Sequence, residues 1–187
     1  EEAMRATMAR LEASNGGRVM WKCQSTMEGV ELEIISSPNL RDLKPLNAMP
    51  VTRLALVNTG VDDLKPLAGM PLVALEIVNA PVSNIKPIGG ISTLKSLRCV
   101  NLGVSDLTPL VGLQLMELAL TEEKSPKSGV RDITPLAGMP LEKLGVQFSS
   151  AVTPVEMAAN SAVLHKLRIV EFKLRGHGVR DLKCVEN

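Results

Sequence analysis

The chain has 187 residues, and its 21 Lys+Arg against 20 Asp+Glu leave a net charge of +1. That balance gives no footprint for nucleic acid or an anionic membrane surface, and no apolar run approaches the roughly 18 residues of a membrane span. Apolar residues make up 45% of the chain but aromatics only 2%, so Leu, Ile, Val and Met must supply the packing, as suits a stack of narrow coils.

The first segment, 1–14, places Met4, Met8 and Leu11 at i, i+4 and i+7, one face of an amphipathic helix. Asn15-Gly16-Gly17 ends it, and no secretory h-region is present. "RVMWKC" (18–23) reads as a strand, with Trp21 over the end of whatever follows. The expectation is an N-terminal cap over 1–27; the alternative is a helix for a membrane or a partner. "VELEIISSPNLRDL" (30–43) is a degenerate first repeat in which Leu32 and Ile34 form an L-x-L step.

From there the chain repeats itself. "DLKPLNAMPVTRLALVNTGVD" (42–62) is followed by "DLKPLAGMPLVALEIVNAPVS" (63–83), "NIKPIGGISTLKSLRCVNLGVS" (84–105) and "DLTPLVGLQLMELAL" (106–120). The opening residues Leu43, Leu64, Ile85 and Leu107 are 21, 21 and 22 apart, the period of a solenoid. Each copy has apolar residues at relative positions 1, 4, 6 and 11, such as Val51, Leu54, Leu56 and Val61. The L-x-L step alternates sides as a strand does, and identical strands offset by one repeat must lie parallel in one sheet. The return limb must be tight. Asp42, Asp63, Asn84, Asp106 and Asp132 can each accept the backbone N–H two residues on. Pro45, Pro66, Pro87, Pro109 and Pro135 preset φ for a short helical turn, with Thr108 and Thr134 as expected N-caps. Gly69, Gly90, Gly112 and Gly138 let that turn end.

These residues resemble short leucine-rich repeat proteins of the phosphatase-regulator and internalin class. The "DLxPLxGMPLxxL" wording is similar to bacterial repeats found beside serine/threonine kinase domains, over roughly 28–187. The resemblance implies an α/β solenoid with a curved parallel sheet on a concave face and short turns or 3₁₀ segments on the convex face. It also implies a non-catalytic module that binds proteins. No kinase signature accompanies it. One departure stands out: the family's ladder Asn at position 9 is replaced by Thr59, Ala80 and Leu102, with Asn58, Asn79 and Asn101 one place earlier.

After Leu120 the step lengthens to 26, from Leu107 to Ile133, and the polar "TEEKSPKSG" (121–129) is expected as a surface loop, a tolerated insertion or a lip beside a binding face. "DITPLAGMPLEKLGV" (132–146) resumes the pattern. "TPVEMAANSAVLHKL" (153–167) then offers Thr153 as N-cap, Pro154 at N1 and a true α-helix, before Ile169, Phe172, Leu174 and Val179 restore the frame and Asp181-Leu182 follow. The expected organisation is one domain over 1–187: cap 1–27, short repeats 28–146, and an irregular last repeat with C-terminal cap 147–187. The L-x-L steps at Leu32, Leu54, Leu75, Leu97, Leu118, Leu144 and Phe172 count seven rungs.

Catalytic chemistry finds little purchase. His165 and His177 have no nucleophile tied to them by spacing, and the Asp series serves turns rather than a D-x-D-x-D calcium loop. The expectation is no enzyme, no metal and no cofactor. Cys23, Cys99 and Cys184 are too scattered for a disulfide framework; Cys99 reads as a core residue, and reduced thiols favour the cytoplasm. A protein or peptide ligand is expected on the outward positions 5 and 7 of the strands: Ala55 and Val57, Glu76 and Val78, Arg98 and Val100, Ala119 and Thr121, Gly145 and Gln147, Lys173 and Arg175. Val57, Val78 and Val100 line up as an apolar patch, with Glu76 and Arg98 orienting the ligand and Lys173 and Arg175 at one end. An architectural protein that self-associates is the second reading.

Overall fold

The computed structural model describes residues 2–121, 129–167 and 169–175, with the backbone alone for 172–175. Two helices, α1 (Glu2–Asn15) and α2 (Pro154–Leu164), flank one eight-stranded sheet: β1 (Met20–Thr26), β2 (Gly29–Ser37), β3 (Val51–Thr59), β4 (Ala74–Val78), β5 (Ser96–Val100), β6 (Glu117–Thr121), β7 (Lys143–Gln147) and β8 (Glu171–Arg175). The strands pair in chain order. β2 to β8 are parallel, which makes the seven rungs, and β1 joins β2 as an antiparallel hairpin arm. Leu54 pairs with Leu75 and Leu56 with Ile77, so equivalent repeat positions are in register. The chain is an α/β solenoid of leucine-rich repeats.

One side of every strand is core. Leu32, Ile34, Leu54, Leu56, Leu75, Ile77, Leu97, Cys99, Leu118, Leu120, Leu144 and Val146 are all buried, and the turn residues Leu46, Leu67, Ile88, Leu110 and Leu136 close the coil from the other side. Those turns are 3₁₀ segments: Lys44–Ala48, Lys65–Leu67, Lys86–Gly90, Thr108–Leu110 and Thr134–Leu136. Each begins the same way. The Oδ1 of Asp42, Asp63, Asn84, Asp106 and Asp132 accepts the N–H two residues on, at 2.7–3.0 Å. This corrects the expected caps. Leu107 and Ile133 occupy the N-cap positions without a side-chain bond, and Thr108 and Thr134 are already inside the segment, served by the preceding Asp. The Asp106 carboxylate titrates below its usual range, chiefly because the Thr108 hydroxyl and N–H both donate to it. Of the four glycines expected to end the turns, Gly69, Gly112 and Gly138 are left-handed, with φ of 80°, 86° and 80°, a region only glycine enters freely; Gly90 is not.

The asparagines at position 8 form a ladder. Asn79 Nδ2 donates to Asn58 Oδ1 at 2.8 Å and Asn101 Nδ2 to Asn79 Oδ1 at 2.7 Å. The three residues are left-handed, with φ of 53°, 53° and 57°, a conformation that asparagine tolerates better than other non-glycine residues. Position 9 is instead buried by Thr59, Ala80 and Leu102. The chain therefore leaves the strand through a half-exposed polar ladder rather than a buried one.

Both helices clamp the turn side through an asparagine. In α1, which buries Met4, Met8 and Leu11, Asn15 Oδ1 accepts from the N–H groups of Arg41 and Asp42 at 2.6 and 2.8 Å, and its Nδ2 donates to the Asp42 carbonyl. In α2, the fully buried Asn160 does the same for the stretch 131–133. α2 also begins as expected: Thr153 is the N-cap and forms a capping box with Glu156, with Pro154 opening the helix. The N–H and hydroxyl of Thr153 donate to Glu156, and Arg131 pairs with it, which together hold its carboxyl down to about 2 from an ordinary 4.5. A depressed carboxyl stabilises the fold in full above its unfolded pKa, and that contribution is lost as pH falls from about 4.5 through about 2. A Glu156→Gln variant keeps the box geometry but not the charge. Its melting temperature should fall less between pH 5 and pH 2 than that of the parent, and identical acid profiles would show that the charge does not matter.

The insertion 122–128, and with it most of the expected lip, lies outside the described residues, as do Arg168, His177, Val179, Asp181, Leu182, Cys184 and the C-terminal cap. Where the chain re-emerges, Val130 bridges in parallel to the buried Phe148.

Candidate binding face

The side of the sheet away from the core carries three rows of side chains, because the pleat sends alternate residues outward and the register aligns them rung by rung. The first row runs Gln24, Glu31, Arg53, Ala74, Ser96, Glu117, Lys143, Glu171. The second runs Lys22, Glu33, Ala55, Glu76, Arg98, Ala119, Gly145. The third runs Met20, Ile35, Val57, Val78, Val100, Thr121. Small side chains at Ala55, Ala74 and Ser96 leave a groove of about 520 Å³ across β1 to β5, walled by Lys22, Glu33, Arg53, Glu76 and Arg98. A second depression of about 180 Å³ continues over Ala119 and Gly145.

The charges on this face neutralise one another. Arg53 pairs with Glu31 at 3.3 Å, Arg98 with Glu76, and Lys143 with Glu117 at 2.5 Å. Lys143, with help from Ser96, holds the Glu117 carboxyl below its usual range, and Glu117 in turn raises the Lys143 ammonium. Glu76 and Arg98, expected to orient a ligand, bind each other across neighbouring strands. Such exposed pairs contribute only about 0–1 kcal/mol, so a ligand can part them at little cost.

The third row needs the largest correction. Val57 and Val78 are half-buried and face outward, but Val100 is only 4% exposed, and Gln147 only 7%. Both sit at outward positions of the repeat, in register with their neighbours, so their burial is not a slip of register. Thr121 is half-buried. Lys173 and Arg175 fall on β8, where the side chains lie outside the described residues. Two apolar members were missed. Ile35 stands beside Val57 on β2, and Met20, 61% exposed, stands beside Ile35 on β1. Ile35 was legible, since it follows the L-x-L of Leu32 and Ile34 at position 7; Met20 lies on the antiparallel arm, outside any repeat frame. The apolar row thus shifts toward the N-terminal cap: Met20, Ile35, Val57 and Val78, about 14 Å over three rung spacings.

Among the described residues no three His, Cys, Asp or Glu side chains gather where they could hold a metal ion. His165 is exposed at the C-cap of α2, its Nδ1 2.7 Å from the Ser161 carbonyl oxygen. Cys99 is buried and Cys23 exposed, neither in a disulfide. No helix among the described residues is long and apolar enough to cross a membrane.

No protein-family model matches the chain, and no curated protein matches it. Among solved structures, the crystal structure of an internalin C2 from Listeria monocytogenes is similar, with 23% identity and a TM-score of 0.49 over 72% of this chain. The chain spans 46% of that protein's length.

Proposed function

We propose that the protein is a binding module that takes a protein or peptide segment on the outward face of its sheet, with no catalytic step. The observation that carries this reading is the apolar row Met20, Ile35, Val57 and Val78 beside a charge-neutral groove. An ordinary solvated sheet face alternates to polar residues, and a contiguous apolar strip rimmed by polar groups marks an interaction surface. The ligand lies along the groove over Ala55, Ala74 and Ser96 and sets apolar side chains against the row. Burying one valine contributes about 1.5–3 kcal/mol at most, so a single change weakens rather than abolishes binding. The test is Val57→Asp with Val78→Asp, assayed against a partner recovered by pull-down from the native extract and identified by mass spectrometry. Binding should fall by roughly a hundredfold or more, with only a modest drop in melting temperature, because both side chains are half-buried on the outward face and the two carboxylates stand on paired residues. Unchanged binding would place the ligand elsewhere.

The architectural reading draws on a different part of the molecule, the free rim of the sheet.

A further inference from the structure

A parallel solenoid has two sheet edges, and one of them, β1, is left without a partner among the described residues: it ends the strand order. Natural edge strands are shortened, bulged, broken by proline or covered, since bare N–H and C=O groups recruit another strand. Apart from the charge of Lys22, β1 shows none of the devices that blunt an edge. It is seven residues long, its pairing with β2 runs without a register shift, it contains no proline, and all of it except Trp21 is exposed. α1 packs instead on the turn side, against the 3₁₀ segment Lys44–Ala48.

We propose that β1 pairs with β1 of a second copy of this chain, antiparallel about a two-fold axis through Cys23, to join two sheets into one. Two observations select this occupant and register. The Met20 N–H points toward β2, where it donates to Ser37 Oγ at 3.0 Å. By strand alternation the N–H and C=O groups of Trp21, Cys23 and Ser25 then face the free rim. A two-fold axis at Cys23 sets Cys23 against Cys23 of the second copy and Trp21 against its Ser25, so every outward group finds a partner. The same axis sets Lys22 against Gln24, whereas an axis at Lys22 would oppose two cations. It also sets Met20, 61% exposed, against Thr26 of the second copy at each end of the pairing. An axis perpendicular to the sheet keeps both outward faces on one side. This inference does not depend on the ligand reading above.

The experiment uses the full chain carrying Cys184→Ser, so that Cys23 is the exposed thiol. Sedimentation velocity over a concentration series should show a monomer–dimer equilibrium, and a short bismaleimide should link the dimer through Cys23. Ser25→Pro removes a rim N–H without touching the β2 ladder and should leave a folded monomer by circular dichroism. If that variant misfolds, Gln24→Lys decides: it sets a second cation against Lys22 at both ends of the pairing, with an expected rise in the dimer dissociation constant of about tenfold or more. A monomer at every concentration overturns the proposal. So does a dimer that Cys23 fails to link, or one that resists both substitutions, which would use another surface. Capture of a foreign peptide strand on the rim of a strictly monomeric chain would likewise overturn it.

Discussion

Removing residues 1–17 should leave a chain that aggregates or melts without a cooperative transition. Every coil of a solenoid covers its neighbour, and the first has none. Here α1 is the cover: Met4, Met8 and Leu11 are buried in the same core as the repeat leucines. Burying three such side chains contributes on the order of 5–8 kcal/mol, comparable to the whole net stability of an ordinary domain. The deletion also strips the Asn15 side chain from the N–H groups of Arg41 and Asp42, the residues that start the first 3₁₀ turn. Because repeats fold by nearest-neighbour coupling, the loss propagates inward. Leu11→Ala is the graded version, with an expected cost of about 2–5 kcal/mol for a fully buried leucine. A truncated protein that melts as the full chain does, without added apolar-dye binding, would remove α1 from the role of cap.

The repeat itself was open to reading because three independent local rules fall on one period: the L-x-L step, the Asx acceptor and the proline after it. Each describes contacts within a single coil or with an identical neighbour, so spacing alone carries it. What escaped depends on contacts between unlike parts. Val57, Val78 and Val100 occupy the same repeat position, yet the third is buried, since exposure at a fixed position is set by what lies beside the coil. Asn58, Asn79 and Asn101 recur visibly, but the left-handed backbone at position 8 that lines up their amides as a ladder is not written in their spacing. Met20 joined the apolar row through a hairpin whose register no repeat dictates. Glu76 and Arg98 looked like two ligand contacts; the 22-residue offset that aligns their rungs also makes them each other's partner.

Asn160 is the residue whose importance sequence conceals most, and its replacement by alanine should cost about 2–4 kcal/mol. An asparagine in mid-helix reads as a solvated residue with modest helix propensity. In α2 it is fully buried, and both ends of its amide are used: Oδ1 accepts from the Ile133 N–H at 2.9 Å, and Nδ2 donates to the Arg131 carbonyl at 2.8 Å. Those two backbone groups flank Asp132, whose own carboxylate starts the following turn by accepting from Thr134. Truncation at Cβ leaves the buried Ile133 N–H without a partner, at about 1–3 kcal/mol, and takes one from the partly buried Arg131 carbonyl at a smaller cost, offset only slightly by alanine's better helix propensity. At about 2–4 °C per kcal/mol for a chain of this size, the melting temperature should drop by roughly 5–12 °C. Asn160→Asp separates geometry from charge: it keeps the acceptor, loses the donor, and buries a carboxylate beside the Arg131 carbonyl. It should be no better than alanine near pH 7 and should recover part of the loss as pH falls and the carboxyl regains a proton to donate. If Asn160→Ala melts within a degree of the parent, water or a shifted neighbour must satisfy both groups, and the clamp between α2 and the last 3₁₀ turn is not what holds this end of the solenoid.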